Sequence, residues 1–172
     1  YNHEGVHISH GDIFGAQEYA VFIGYNSMSD NTDGNNEWGE IELTNLKIHH
    51  NGNNGLYTYS NRNNRITLDS LHIHDNEGYG VNSGQEYYPI EFNLINSTIE
   101  SNGQSEINIS YVNLSDPNVQ FHVNHNTIRD TVNINWNRNH TYNLVYTSGN
   151  NWNDDGSGQA LDFRYNYWGG AA

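Results

Sequence analysis

At 172 residues the chain has room for one domain, residues 1–172, and too little length for two ordinary ones. Its 20 acidic residues against six basic ones leave a formal charge of −14, which argues against nucleic acid or an anionic membrane surface as partner. Cysteine is absent, so there is neither a disulfide framework nor a thiolate metal site, and no apolar run approaches the length of a membrane-spanning helix.

Only 34% of residues are apolar and 31 are asparagine, so a wide globular core is not expected. Disorder is not expected either, because 13 Tyr, 4 Trp and 5 Phe accompany recurrent Ile, Leu and Val. A thin core used many times over fits both facts. The chain opens at Tyr1 with neither Met nor a signal-like stretch, as a processed mature chain or a piece of a longer one would.

From the N-terminus, the first informative segment is the acidic loop from Ser29 to Glu40. With Ser29 as position 1, Asn31, Asp33, Gly34, Glu37 and Glu40 fall at positions 3, 5, 6, 9 and 12 of a calcium-loop pattern. The expected ligands are Asp30, Asp33, Glu37 and Glu40, and the expected ion is calcium. Ser at position 1 and the lack of flanking helices depart from that pattern.

From residue 41 onward the sequence repeats. Ile48, Ile73, Ile99 and Ile128 occupy equivalent places 25, 26 and 29 residues apart, with Trp152 as the expected next member. Ile41, Ile66, Phe92 and Phe121 move in step, each followed two residues on by Leu43, Leu68, Leu94 and Val123. That is strand periodicity: these pairs face a core while Glu42, Thr67, Asn93 and His122 point outward. A third series, Leu56, Val81, Ile107, Val132 and Leu161, follows a polar turn. Asn51, Asn76 and Asn102 mark that turn, since Asn tolerates left-handed backbone and can ladder its amide with copies above and below.

Divided at 1–40, 41–65, 66–91, 92–118, 119–144 and 145–172, the chain reads as six turns of about three short strands, stacked as three parallel sheets. These residues, above all Ile41 to Asn51, Ile66 to Asn76 and the closing Phe163-Arg164-Tyr165-Asn166-Tyr167-Trp168-Gly169, resemble the right-handed parallel β-helix repeat family, the pectate-lyase-like superfamily. The resemblance covers nearly all of 41–172 and implies an all-β fold, a right-handed parallel β-helix (solenoid) of about six coils. It does not choose a reaction, because members include lyases, hydrolases, epimerases and non-catalytic adhesive modules. No capping helix is visible at either end, so open strand edges are expected to lie against another copy or a further domain.

Three constellations could carry chemistry. His49, His74, Glu100 and Arg129 form an outward ladder whose members lie near 5 Å apart, close enough for acid–base work on a glycan. Tyr59, Tyr111, Trp136 and Tyr165 fall at similar offsets beyond the third strand series, with Tyr57 nearby, and flat rings on a groove hold sugar rings. Asn96, Asn108, Asn113 and Asn139 are glycosylation sequons, as on the exterior of a secreted protein. The expectation from all this is an extracellular or cell-surface, non-catalytic module of an adhesive or fibre-forming protein that contacts glycan or identical subunits stacked end to end. A polysaccharide-active lyase, hydrolase or epimerase is the alternative, with calcium able to replace scarce basic residues.

Overall fold

The computed structural model describes residues 5–24, 39–59, 64–83, 91–112, 120–129, 132–136, 140–142, 161–162 and 165–168. Among them there is no helix. The strands are β1 (Val6–Phe14), β2 (Val21–Ile23), β3 (Gly39–His49), β4 (Leu56–Thr58), β5 (Asn64–Asp69), β6 (His72–His74), β7 (Val81–Ser83) and β8 (Glu91–Ile95). They continue with β9 (Thr98–Glu100), β10 (Ile107–Val112), β11 (Gln120–Asn124), β12 (Thr127–Ile128), β13 (Val132–Trp136), β14 (His140–Tyr142), β15 (Leu161–Asp162) and β16 (Tyr167–Trp168).

The protein is all-β, and its strands pair in parallel except where β14 turns back along β13. Parallel neighbours come from successive repeats. Ile41 pairs with Ile66, Ile66 with Phe92 and Phe92 with Phe121; Ile48, Ile73, Ile99 and Ile128 pair in the same way. Those four isoleucines form one row, each no more than 1% exposed. Leu43, Leu68, Leu94 and Val123 form a second buried row, and Leu56, Val81 and Ile107 close the core from the other sheet. Full burial of each Leu or Ile contributes roughly 1.5–3 kcal/mol, so a thin core closes through repetition.

Three expectations need correction. The three ladders form two sheets, of ten and six strands, because β1 and β3 run unbroken through both ladders of the larger one. Leu161 pairs with Phe121 rather than with Val132, and the partner of Ile128 is Trp168, 40 residues on. The repeat lengthens after β14, so extrapolating the earlier period misplaced both; Trp152 lies outside the described residues.

The bends explain how β1 and β3 stay paired while changing direction. His10, Asn45, Ser70, Asn96, His125 and Tyr165 all have φ between 51° and 62°, one left-handed residue per level. Gly15, His50, Asp75 and Ser101 make a second such column. The expected left-handed residues, Asn51, Asn76 and Asn102, therefore sit one place after the bend, and they do different work.

Those three asparagines are buried and their amides form a ladder. Asn51 Nδ2 donates to Asn76 Oδ1 at 2.7 Å, and Asn76 Nδ2 donates to Asn102 Oδ1 at 2.9 Å. The same oxygens accept from the backbone N–H of Asn51 and Asn76, groups that the bend removes from the strand ladders. Asn102 finds Glu106 instead: the buried carboxylate accepts from its backbone N–H and its Nδ2. Glycine makes room. A Cβ on Gly55 would stand 2.9 Å from Asn76 Nδ2, and one on Gly80 would stand 2.7 Å from Asn102 Nδ2. A shorter ladder follows the other bend, where Ser97 N–H donates to Asn126 Oδ1 at 2.8 Å and Asn126 Nδ2 to Asn166 Oδ1 at 3.0 Å.

Asn76→Leu keeps the branched shape but strips donors and acceptors from Asn51 and Asn102. It should destabilise the fold by about 3 kcal/mol or more, since each buried polar group left unmatched costs about 1–3 kcal/mol. Urea unfolding followed by circular dichroism measures this, and a loss well under about 1 kcal/mol would show that the ladder is incidental.

Candidate functional site

Alternation along the short strands places one residue in two on the outer face, so the repeat sets outward rows as well as the core. The row expected from the sequence is real. His49 and His74 stack with ring centroids 5.0 Å apart and planes 2° from parallel, and Phe14 stacks on His49 at 5.4 Å. Glu100 follows in register beyond His74, and Arg129 Nη1 lies 2.8 Å from its Oε2.

Each member of this row is held by further partners. His49 Nε2 lies 2.7 Å from Asp12 Oδ1, and His49 Nδ1 lies 2.6 Å from His50 Nδ1. Both contacts are satisfied when His49 donates from Nε2 to Asp12 and accepts at Nδ1 from His50. His74 Nδ1 donates to Asp75 Oδ2 at 2.7 Å, and His72 Nε2 meets Glu100 Oε1 at 3.1 Å. His74 Nε2 is buried and has no hydrogen-bond partner among the described residues. The hydrogen bond from His74 holds the Asp75 carboxyl below the ordinary carboxylate range, helped by the neighbouring imidazoles. In the row expected as acid–base machinery, the Asp12, Asp75 and Glu100 carboxylates therefore face imidazole or guanidinium.

The calcium expectation falls mostly elsewhere. Asp30, Asp33 and Glu37 lie outside the described residues. Glu40, on β3, is exposed, with Oε1 3.9 Å from Arg65 Nη1. Among the described residues no group of three or more His, Asp or Glu side chains is arranged to hold a metal ion.

The second site lies on the outer face of the six-stranded sheet, where register aligns Phe22, Tyr57, Asn82, Asn108 and Asn133. Tyr19 stands beside its first two members. Ring centroids are 4.9 Å apart for Tyr19 and Tyr57, 5.6 Å for Phe22 and Tyr57, 5.8 Å for Tyr19 and Phe22, and 6.1 Å for Tyr57 and Tyr59. Phe22 is 54% exposed. Partial burial, with Tyr19 and Tyr59 close by, raises the Tyr57 phenol above its ordinary value and keeps it a neutral donor. Beyond the rings, Asn108 Nδ2 donates to Asn82 Oδ1 at 2.8 Å, so the aromatic patch continues into a row of amides.

Of the expected aromatic residues, Tyr59 and Tyr57 lie in this cluster. Tyr111 is in β10 and Trp136 in β13, where a bulge pairs Trp136 with Val112. Tyr165 belongs to the larger sheet, at a bend, and stacks on His125 at 5.0 Å. Tyr19 and Phe22 went unread because the first repeat is longer: Phe22 precedes Tyr57 by 35 residues. An offset of 35, which aligns Val21-Phe22-Ile23 with Leu56-Tyr57-Thr58, would have found Phe22. Among the sequons, Asn96 is exposed at a bend with its amide on Asp69 Oδ1, and the Asn108 amide is engaged with Asn82. Asn113 and Asn139 lie outside the described residues.

Comparison with protein-family models, curated proteins and solved structures gives no match, so the chemistry of the two faces carries the functional reading.

The depressed Asp75 carboxyl contributes stability that is present above its unfolded-state pKa and lost as pH falls through its folded-state value. In His74→Phe the Asp75 carboxyl should titrate at higher pH than in wild type by carbon-13 NMR. Superimposable titration curves would show that His74 does not hold it.

Proposed function

We propose that the chain is an extracellular, non-catalytic module of a surface, adhesive or fibre-forming protein, built as a right-handed parallel β-helix of about six coils, and that it contacts glycan. The β-helix reading is supported by parallel pairing between successive repeats, by two columns of left-handed bends and by buried amide ladders. Parallel strands joined by crossovers are right-handed in nearly all proteins, which supports the hand.

One observation carries the glycan reading: the half-exposed cluster of Tyr19, Phe22, Tyr57 and Tyr59 continuing into the Asn82 and Asn108 amides on one flat face. Rings accept the apolar face of a sugar by stacking, and amides both donate to and accept from its hydroxyls. A net charge of −14 favours a neutral glycan over an acidic one. Catalysis on the His49, His74, Glu100 and Arg129 row is the weaker reading, because a substrate would first have to break the pairs those groups already make. Calcium held by Asp30, Asp33, Glu37 and Glu40 belongs to the same extracellular reading as a clamp on an acidic loop.

Titration calorimetry against neutral and acidic oligosaccharides tests the glycan reading. Binding should favour neutral ones, and Tyr57→Ala or Phe22→Ala should weaken it roughly tenfold or more, about 1.4 kcal/mol, with the circular dichroism spectrum unchanged. No heat from any oligosaccharide would overturn it. For the clamp, the unfolding midpoint should rise in calcium relative to chelator; identical midpoints would remove it.

A further inference from the structure

Exposed large apolar side chains lie, among the described residues, in two places. Among the described residues the large ones are Val6, Ile8, Phe14 and Phe22 in the first repeat and Tyr165 and Tyr167 in the last; the repeats between carry none. Those places are also where the larger sheet stops. Both of its ladders begin, among the described residues, at β1, and they finish at β15 and β16.

The first repeat is built like an interior one and packed like a surface. Val6 and Ile8 pair with Ile41 and Leu43, so they stand at the head of rows that are buried further along, yet they are 54% and 43% exposed. Nothing in their chemistry suits water. β1 is nine residues long and, among the described residues, has a strand on one side only. A long, apolar, one-sided strand is a template for another strand.

We infer that the two ends bind each other, so that copies of the chain assemble head to tail through the ten-stranded sheet. The inference rests on the proposed stacking β-helix, and it adds the surfaces and their register. Continuing the sheet in register across the joint sets Leu161 of one copy against Val6 of the next, Trp168 against Ile13, Tyr167 against Asp12 and Tyr165 against His10. The apolar row would then continue from one copy into the other. Tyr165, already stacked on His125, would meet the next imidazole of the bend column, extending an aromatic ladder. Asp162 would come into register with His7. The joint is placed on the ten-stranded sheet, because among the described residues the smaller sheet ends in β14, whose antiparallel direction breaks the series. Two different surfaces meet, so the contact is heterologous and grows into a filament unless the rotation closes a ring. Each copy carries −14, so added salt should strengthen the assembly by screening their repulsion.

Complementary end mutants test this directly. Ile8→Lys spoils the first end, and Tyr167→Asp, which would face Asp12 of the next copy with a like charge, spoils the last, both at exposed positions. By sedimentation velocity the wild-type chain should pass beyond dimer as concentration and salt rise. Each variant alone should stay monomeric with a wild-type circular dichroism spectrum. Mixed, they should form a dimer that grows no further, because one variant supplies a good first end and the other a good last end. Should Ile8→Lys lose the wild-type spectrum, Val6→Lys at the same end replaces it. A wild-type chain that stays monomeric throughout, or a single variant that dimerises by itself through like ends, overturns the inference. Glycan heat separates the two proposals: a monomer that binds oligosaccharide sinks the assembly alone, and an assembly that binds none sinks the glycan reading alone.

Discussion

Backbone hydrogen bonding at the bends is the constraint on which the other features depend. A chain that changes direction every few residues takes N–H groups out of its strand ladders, and a buried N–H without a partner is costly. Asn51, Asn76 and Asn102 resolve this with one side chain per level, whose oxygen accepts from the level before while its nitrogen donates to the level after. Gly55 and Gly80 are bare because those amides fill the space beside them. Glu106, in register with those glycines, turns a carboxylate into the same space and ends the series. Buried asparagines and a thin core go together here: polar side chains do inside this protein some of the work that apolar ones do elsewhere.

Regular stacking then offers every outward row the same spacing, near the distance between hydrogen-bonded strands. What a row does depends on which residues occupy it. On the larger sheet, His49, His74, Glu100 and Arg129 are set among Asp12, His72 and Asp75, and their charges and hydrogen bonds are used within the row. On the smaller sheet, an exposed Phe22 and a half-buried Tyr57 stand in contact beside amides. The first row is chemically busy, whereas the second is chemically plain and is where the proposed glycan contact lies. Because binding surface follows from unused contact area more than from reactive groups, the aromatic face is the better candidate site.

The sequence by itself determined the strand type, the inward rows and the parallel neighbours from Ile41 to Ile128, because a period of 25 to 29 residues with alternation inside it has one economical solution. It also determined the partners in the row of His49, His74, Glu100 and Arg129, since equivalent places in a repeat become neighbours in register. Only the tertiary structure decided which residue bends. Left-handed backbone falls on His50, Asp75 and Ser101, whose types carry a weak preference, and the stronger turn-former beside each is taken by the buried amide ladder. The aromatic cluster was legible only in part: Tyr57 and Tyr59 follow the repeat, Phe22 is reached through an offset of 35, and Tyr19 meets Tyr57 through a contact that no offset marks. Periodicity reports which residues share a row; the length of an insertion, and hence which rows meet at the ends, is set by packing that no local pattern records.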